Sequence, residues 1–501
     1  RRLQTMPQSS FFRLTALCVV FLGSLVALRS ARADTSPKRP NVLLICVDDL
    51  RPQLGCYGCG EMVTPNIDRL AEEGRVFTRH YVQIAVCGPS RCSLLTGRRV
   101  LQSWDCWAED RKRTQEPENP VSIAHLFHRG GYRTVSIGKV SHEPGGTLPP
   151  QYTTHQIPFS WDLAMGPSGP WQDPWRAFFA YAHGRAYNAI IRWAKNEPPR
   201  LPFEAADVSD EGYADGLIAR LGVEQLQDLK SRGGPFFLAV GFFKPHLPHN
   251  APKKYWDLYD PEKVGLAPNP FPPKNVDPAI SCYPSLELTT HYHWPHGASN
   301  VPPAQARNQR HAYFACVSYV DAQIGKVLDE LKRLGLDRST VVALWGDHGW
   351  HLGEHDMFGK CTNFEIATRS PLIVKVPEMP QPGKPADGLA ETVDLYPTLA
   401  QLAGLAAPED LAGCSLVPML DDPGAPGKPG AMSCFHRGGG FFGKALRTDR
   451  YRIVEWIHKK TGEVAQIELY DHQTDPQENV NIAGEQPEVV KRLLAQLHAT
   501  Q

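Results

Sequence analysis

Four short apolar stretches recur along the chain, and each gives way to polar residues. Val42 to Val47 runs into Asp48-Asp49, Thr134 to Ile137 leads to Lys139 and His142, Phe236 to Val240 leads to Lys244 and His246, and Thr340 to Leu344 leads to Asp347 and His348. Near-continuous apolar runs of this length fit strands buried on both faces, as in a parallel sheet. Stretches with helical spacing separate them, among them Asp68 to Glu73, Ile123 to Arg129 and Ala315 to Leu334. The alternation predicts an α/β fold, with a large, mostly parallel central sheet sandwiched by helices. Ligands of such sheets bind beyond the carboxyl ends of the strands. Four strands that end in carboxylates, lysines and histidines therefore predict one convergent site.

The pattern changes twice more. Between Asp257 and Pro303 the chain is rich in proline and carries His291, His293 and His296. It reads as long loops near the mouth of the site, with solvated histidines rather than a second metal centre. Prolines and glycines crowd from Pro423 to Gly430, as in a linker. Beyond it, Lys444 to Trp456 and Val464 to Tyr470 predict antiparallel strands, and Pro487 to His498 a closing helix with Val489, Val490, Leu493, Leu494 and Leu497 on one face. The expected organisation is a catalytic domain over 34–422 and a small α+β domain with an antiparallel sheet over 431–501.

At the other end, Arg13 precedes an apolar run from Leu14 to Leu28, and Ala31-Arg32-Ala33 supplies small residues before Asp34. Residues 1–33 read as a signal peptide with Met6 as candidate initiator, an uncleaved anchor being the alternative. The protein is expected to be exported, periplasmic or secreted after cleavage near Ala33, with no membrane association in its mature form.

Composition adds exclusions more than identity. Of 501 residues, 42% are hydrophobic and 21% charged, which is ordinary for a globular chain. A net charge of zero gives no case for nucleic acid or an anionic membrane, so an anionic ligand must meet a local basic site. The 12 cysteines are spread widely and imply no disulfide scaffold. Cys56-Tyr57-Gly58-Cys59 reads as a loop disulfide or two idle thiols, since no second pair supports zinc.

Cys87-Gly88-Pro89-Ser90-Arg91 carries the most chemistry. It opens a helix that Gly97 closes, with Pro89 in the first turn, where its missing N–H costs nothing. Cys87 then sits at the helix N-terminus, where amide donors favour an anion, and Arg91 adds a planar fork suited to a tetrahedral oxyanion.

That pentapeptide, followed by Thr96-Gly97-Arg98, resembles the signature of the formylglycine-dependent sulfatases of the alkaline-phosphatase superfamily. Asp48-Asp49-Leu50-Arg51-Pro52, Gly138-Lys139-Val140-Ser141-His142, Lys244-Pro245-His246 and Asp347-His348-Gly349-Trp350 look most like the iduronate-2-sulfatase branch. The resemblance implies a sulfuric ester hydrolase acting on a sulfated sugar or polysaccharide, with 2-O-sulfated uronate as one candidate. It implies that a separate formylglycine-generating enzyme oxidises Cys87, and that the hydrated aldehyde is the nucleophile. Asp48, Asp49, Asp347, His348 and the converted Cys87 are the implied ligands of a divalent metal, calcium ahead of magnesium, as hard oxygen donors suit. By the same resemblance Arg91 and Lys139 hold the nucleophile, His142 is the base, and His246 and Lys360 serve the sulfate and the leaving oxygen. Trp350 and His351 are candidate walls. Val100 to Trp104, and Ser141 where that branch often has an aromatic, depart from the branch and leave the sugar open. A phosphate or phosphonate ester hydrolase of the same superfamily and a non-catalytic glycan-binding protein are the competing readings.

Overall fold

Seven strands make the central sheet: β1 (Asn41–Val47), β2 (Arg75–Val76), β3 (Arg133–Gly138), β4 (Leu163–Met165), β5 (Phe236–Phe242), β6 (Thr340–Gly346) and β7 (Leu372–Lys375), in the order β2-β7-β6-β1-β5-β3-β4. The five strands from β6 to β4 are parallel; β7 and β2 close one edge antiparallel. The computed structural model describes residues 39–99, 121–148, 154–188, 200–294 and 301–499. The expected leader, His296 and the stretch from Val100 to Trp104 lie outside them.

Successive residues of a strand point to opposite faces, so a strand covered on both sides must be apolar throughout. Leu43, Ile45 and Val47 face α4 (Ala214–Arg232) and α6 (Pro303–Arg333), packing with Ile218, Leu226, Val317 and Ile324. Val42, Leu44 and Cys46 face the other way, toward α2 (Cys87–Thr96), α3 (Ile123–Arg129) and α7 (Leu395–Leu402), among Leu94, Leu95, Phe127 and Leu399. The expected sandwich is present. The first helix, α1 (Pro65–Glu73), and α3 lie where their spacing places them.

The helix expected from Ala315 begins at Pro303, twelve residues earlier. Its first turns read as polar because they bury polar partners: Arg310 reaches Glu354 at 3.3 Å and Gln309 reaches His249 at 2.7 Å. Within the proline-rich stretch a short helix, α5 (Leu286–His291), forms where only loop was expected.

Residues 40–501 form one compact unit. The C-terminal strands β8 (Ala431–Arg437), β9 (Phe441–Arg447), β10 (Tyr451–His458) and β11 (Val464–Asp471) make an antiparallel meander. One face takes Leu493 and Leu497 of α8 (Pro487–Ala499). The other, through Cys434, Phe435, Val454 and Trp456, packs on Ile84, Val86 and Cys361. The stretch before it is pinned rather than free: Lys428 Nζ lies 2.5 Å from both Glu391 and Asp394. Cys56 and Cys59 are free thiols. No helix among the described residues is long and apolar enough to cross a membrane.

Candidate active site

Strand register builds this site. Val47 of β1 lies opposite Phe242 of β5 and Gly346 of β6, and Gly138 of β3 lies opposite Gly241. The residues that follow leave the sheet side by side: Asp48-Asp49, Lys139 and Asp347-His348. Backbone bonds hold them there, from Asp347 N–H to the Val47 carbonyl (3.2 Å) and from Lys139 N–H to the Gly241 carbonyl (2.9 Å). Gly241 has no alternative, since a Cβ there would stand 2.1 Å from the Lys139 carbonyl oxygen.

Helix α2 brings the thiol. Cys87 is its first residue, Val86 before it is extended, and Gly97 ends it at φ 64°. One turn on, Arg91 is fully buried between two carboxylates, with Nη2 3.0 Å from Asp48 and Nε 3.0 Å from Asp347. Lys139 Nζ takes the other Asp48 oxygen at 2.6 Å. Burial works against the Asp48 anion, yet Lys139 and Arg91 hold its carboxyl well below the usual range. Asp347 moves the opposite way: burial and the neighbouring Asp48 charge push it well up. Removing either partner from such a buried pair would leave an uncompensated charge.

Cys87 Sγ lies 3.4 Å from Lys360 Nζ, 3.3 Å from His348 Nε2 and 3.7 Å from Asp49 Oδ1. Lys360 Nζ bonds Asp49 at 2.9 Å. His348 Nδ1 donates to the Gly349 carbonyl at 2.9 Å, so its Nε2 lone pair points at Asp49 (3.3 Å) and Asp347 (3.6 Å). Burial pushes this imidazole down to about 4, which keeps it neutral. A lone pair aimed at carboxylates is satisfied by a cation between them, and the Gly349 carbonyl fixes the tautomer as metal-bound histidines require. The donor atoms of Cys87, Asp347 and His348 lie within 4.8 Å of one another, as do those of Asp48, Asp49, Cys87 and His246. Three carboxylates make the set hard, and it fits a divalent cation.

The remaining expected residues border this cluster. Lys139 and Asp48 act electrostatically on His142, and burial together with Lys139 pushes its ring down to about 3, so it is a neutral imidazole. Its Nδ1 is buried and has no hydrogen-bond partner among the described residues. His246 packs at a tilt against Phe178 (4.5 Å between ring centres, planes 44° apart), over which Lys139 Nζ also sits at 4.1 Å. Lys360 follows the two-residue strand Phe358–Gly359, and Trp350 lies beneath it with its ring 5.0 Å from Nζ. His351 is not a wall residue: it is fully buried and bonds Thr362 Oγ1 at 3.0 Å and the Glu354 carbonyl at 3.2 Å.

Lys244 does not end in solvent. Its buried ammonium donates to the carbonyls of His246 (2.9 Å) and Pro248 (2.5 Å), while Asp215 accepts the backbone N–H groups of Phe243 and Lys244, each at 2.8 Å. Lys244 thus anchors the turn that carries His246. Changing Lys244→Met is expected to lower stability by about 1–3 kcal/mol through the unsatisfied carbonyls. Turnover should fall about tenfold or more as His246 loses its footing. Chemical denaturation and steady-state rates on one preparation check both, and unchanged values would remove the anchoring role.

Two contributors escaped the sequence reading. Tyr313 of α6 donates its hydroxyl to the Asp49 carbonyl at 2.8 Å and accepts Arg51 N–H at 2.9 Å. Glu287 of α5 lies 3.0 Å from His246 Nε2 and 3.1 Å from Lys360 Nζ. No local pattern sets Glu287 apart from other acids in a proline-rich stretch, because no strand precedes it.

The chain is similar to known proteins over most of its length. The Sulfatase family model matches residues 40–405, and the model for the N-sulphoglucosamine sulphohydrolase C-terminal region matches residues 353–501. Iduronate 2-sulfatase of Mus musculus is 34% identical over 430 residues, which span 78% of this chain and 73% of that protein. A structure of a protein in complex with its substrate D-glucosamine-2-N,6-O-disulfate shares the fold at TM-score 0.70 and 22% identity, over 93% of this chain and 98% of that one. So does phosphonate monoester hydrolase of Agrobacterium radiobacter, at TM-score 0.70 and 23% identity, over 92% and 96%.

Proposed function

Since this chain belongs to the sulfatase family, we propose that it releases inorganic sulfate from a sulfated sugar or polysaccharide, with 2-O-sulfated uronate as the favoured substrate. The observation that carries this reading is the approach of Cys87 Sγ, at a helix N-terminus, to Lys360, His348 and Asp49. The match to iduronate 2-sulfatase supports the choice of sugar.

In this reading Asp48, Asp49, Asp347 and His348 hold a divalent metal, calcium by preference, which when bound supplies a fixed positive charge beside position 87. Oxidation of Cys87 to formylglycine supplies a hydrated aldehyde, whose two hydroxyls give a nucleophile and a built-in means of release. Arg91 and Lys139 keep Asp48 ionised and in place. His142, neutral and with a free ring nitrogen, accepts a proton at the nucleophile. His246 and Lys360 bind the sulfate oxygens and donate to the leaving oxygen. Export, with cleavage near Ala33, completes the proposal.

Parallel assays with aryl sulfate, aryl phosphate and a panel of defined sulfated oligosaccharides test it. The expected result is sulfate release with a preference for 2-O-sulfated uronate. Dominant phosphate release would overturn the reaction class, and a preference for another sulfate position would overturn the sugar alone.

A further inference from the structure

The charged side chains that meet Cys87, Asp48 and Asp347 follow strands or belong to α2, but Glu287 comes from α5. Its carboxylate splits between two donors, one oxygen 3.0 Å from His246 Nε2 and the other 3.1 Å from Lys360 Nζ. These are the two side chains assigned above to the leaving oxygen. His246 is also held at its second nitrogen, with Nδ1 2.6 Å from the Leu247 carbonyl.

The helix bearing Glu287 is fastened to the short strand Phe358–Gly359 just before Lys360. Ser285, fully buried, accepts the Phe358 N–H on its hydroxyl at 2.9 Å. The Tyr283 hydroxyl accepts the Glu287 N–H at 3.1 Å, and the Tyr283 N–H bonds Met357 sulfur at 3.0 Å. Trp294, just past the helix, packs on Phe358 with ring centres 5.4 Å apart. Leu288 is buried beneath the helix. The carboxylate is therefore set at a fixed place relative to Lys360. A lysine has four rotatable bonds, and its ammonium gives little help to a departing oxygen unless it is aimed beforehand.

We propose that Glu287 is a positioning residue, a carboxylate bridge that fixes the His246 ring through its Nε2 and turns the Lys360 ammonium, whose remaining N–H faces position 87, toward the oxygen that leaves. It touches neither the sulfur nor the nucleophile. The proposal rests on the sulfate-ester reaction proposed above and adds a residue to its leaving-group side.

The test measures leaving-group dependence on Glu287→Ala and Glu287→Gln, using 4-nitrophenyl sulfate and phenyl sulfate as probes. Proton donation contributes about 10²–10⁴-fold and matters least for the better leaving group. Glu287→Ala is thus expected to cost phenyl sulfate turnover about tenfold more than 4-nitrophenyl sulfate turnover. Glu287→Gln, which keeps the shape and one acceptor oxygen, should fall between. The ratio of the two rates is read on one preparation, so partial misfolding cancels. Equal losses on both esters would overturn the proposal, as would a lowered KM with an unchanged ratio, the mark of a carboxylate that merely competes with the ester. A wild type that releases sulfate from neither these esters nor the defined sulfated oligosaccharides would instead remove the underlying reaction, and the proposal with it.

Discussion

Serine at position 87 is expected to stop sustained turnover, lowering kcat on the order of 10⁵- to 10⁶-fold, the scale of losing a nucleophile. The substitution is nearly isosteric, and it keeps one hydroxyl at the start of α2, within reach of Lys360 and His348 as the thiol is. Any loss then reflects chemistry rather than packing. A single hydroxyl attached to sulfur has no neighbouring hydroxyl to drive release, and the crowded, buried position shields it from water. The unconverted thiol should be inactive too, since burial and the Asp48 charge push Cys87 well above its ordinary range. Specific activity should therefore rise in proportion to the fraction of Cys87 peptide that carries the aldehyde mass, through the origin. Steady turnover by the serine variant, or activity in protein with no converted peptide, would refute the assignment.

Chelation is expected to have the next largest effect. Asp48, Asp49 and Asp347 are fully buried, and with Glu287 nearby they outnumber the lysine and arginine charges they meet. A divalent ion reverses that balance and orders the Nε2 lone pair of His348. Its removal should cost several kcal/mol of transition-state stabilisation, about 10³-fold in kcat/KM. Because the ion binds the folded state, Tm should also fall with chelator and recover with added calcium. Asp49→Asn should lose both calcium-dependent effects. Dialysis against EDTA followed by titration with calcium or magnesium, read by sulfate release and thermal melting, decides the matter. Full activity and an unchanged Tm in the chelated protein would exclude the metal.

The sheet and most of the site were legible because both follow from short-range pattern. Val42 to Val47 is apolar throughout since α4 and α6 cover one face and α2, α3 and α7 the other. The polar pairs that follow such runs fall together because parallel strands in register end in a row. What escaped depends on contacts between distant segments. Tyr313 lies just ahead of the helix expected from Ala315, yet its hydroxyl caps the Asp49 carbonyl. Glu287 matters only because α5 folds back onto Phe358. His351, read with Trp350 as a candidate wall, is turned inward, where it bonds Thr362. The start of α6 was hidden because buried Arg310 and Gln309 look like surface residues until their partners are known.

The last strands brace the segments on either side of the thiol, through Ile84 and Val86 before it and Cys361 beyond Lys360. During synthesis Cys87 is therefore made early, while its neighbours Ile84 and Val86 are covered only after translation has passed β8 to β11. Under the proposed conversion, an enzyme acting on that thiol would reach it most readily before those strands are made, and an early stop codon that spares every catalytic side chain would still strip the cover from Ile84, Val86 and Cys361.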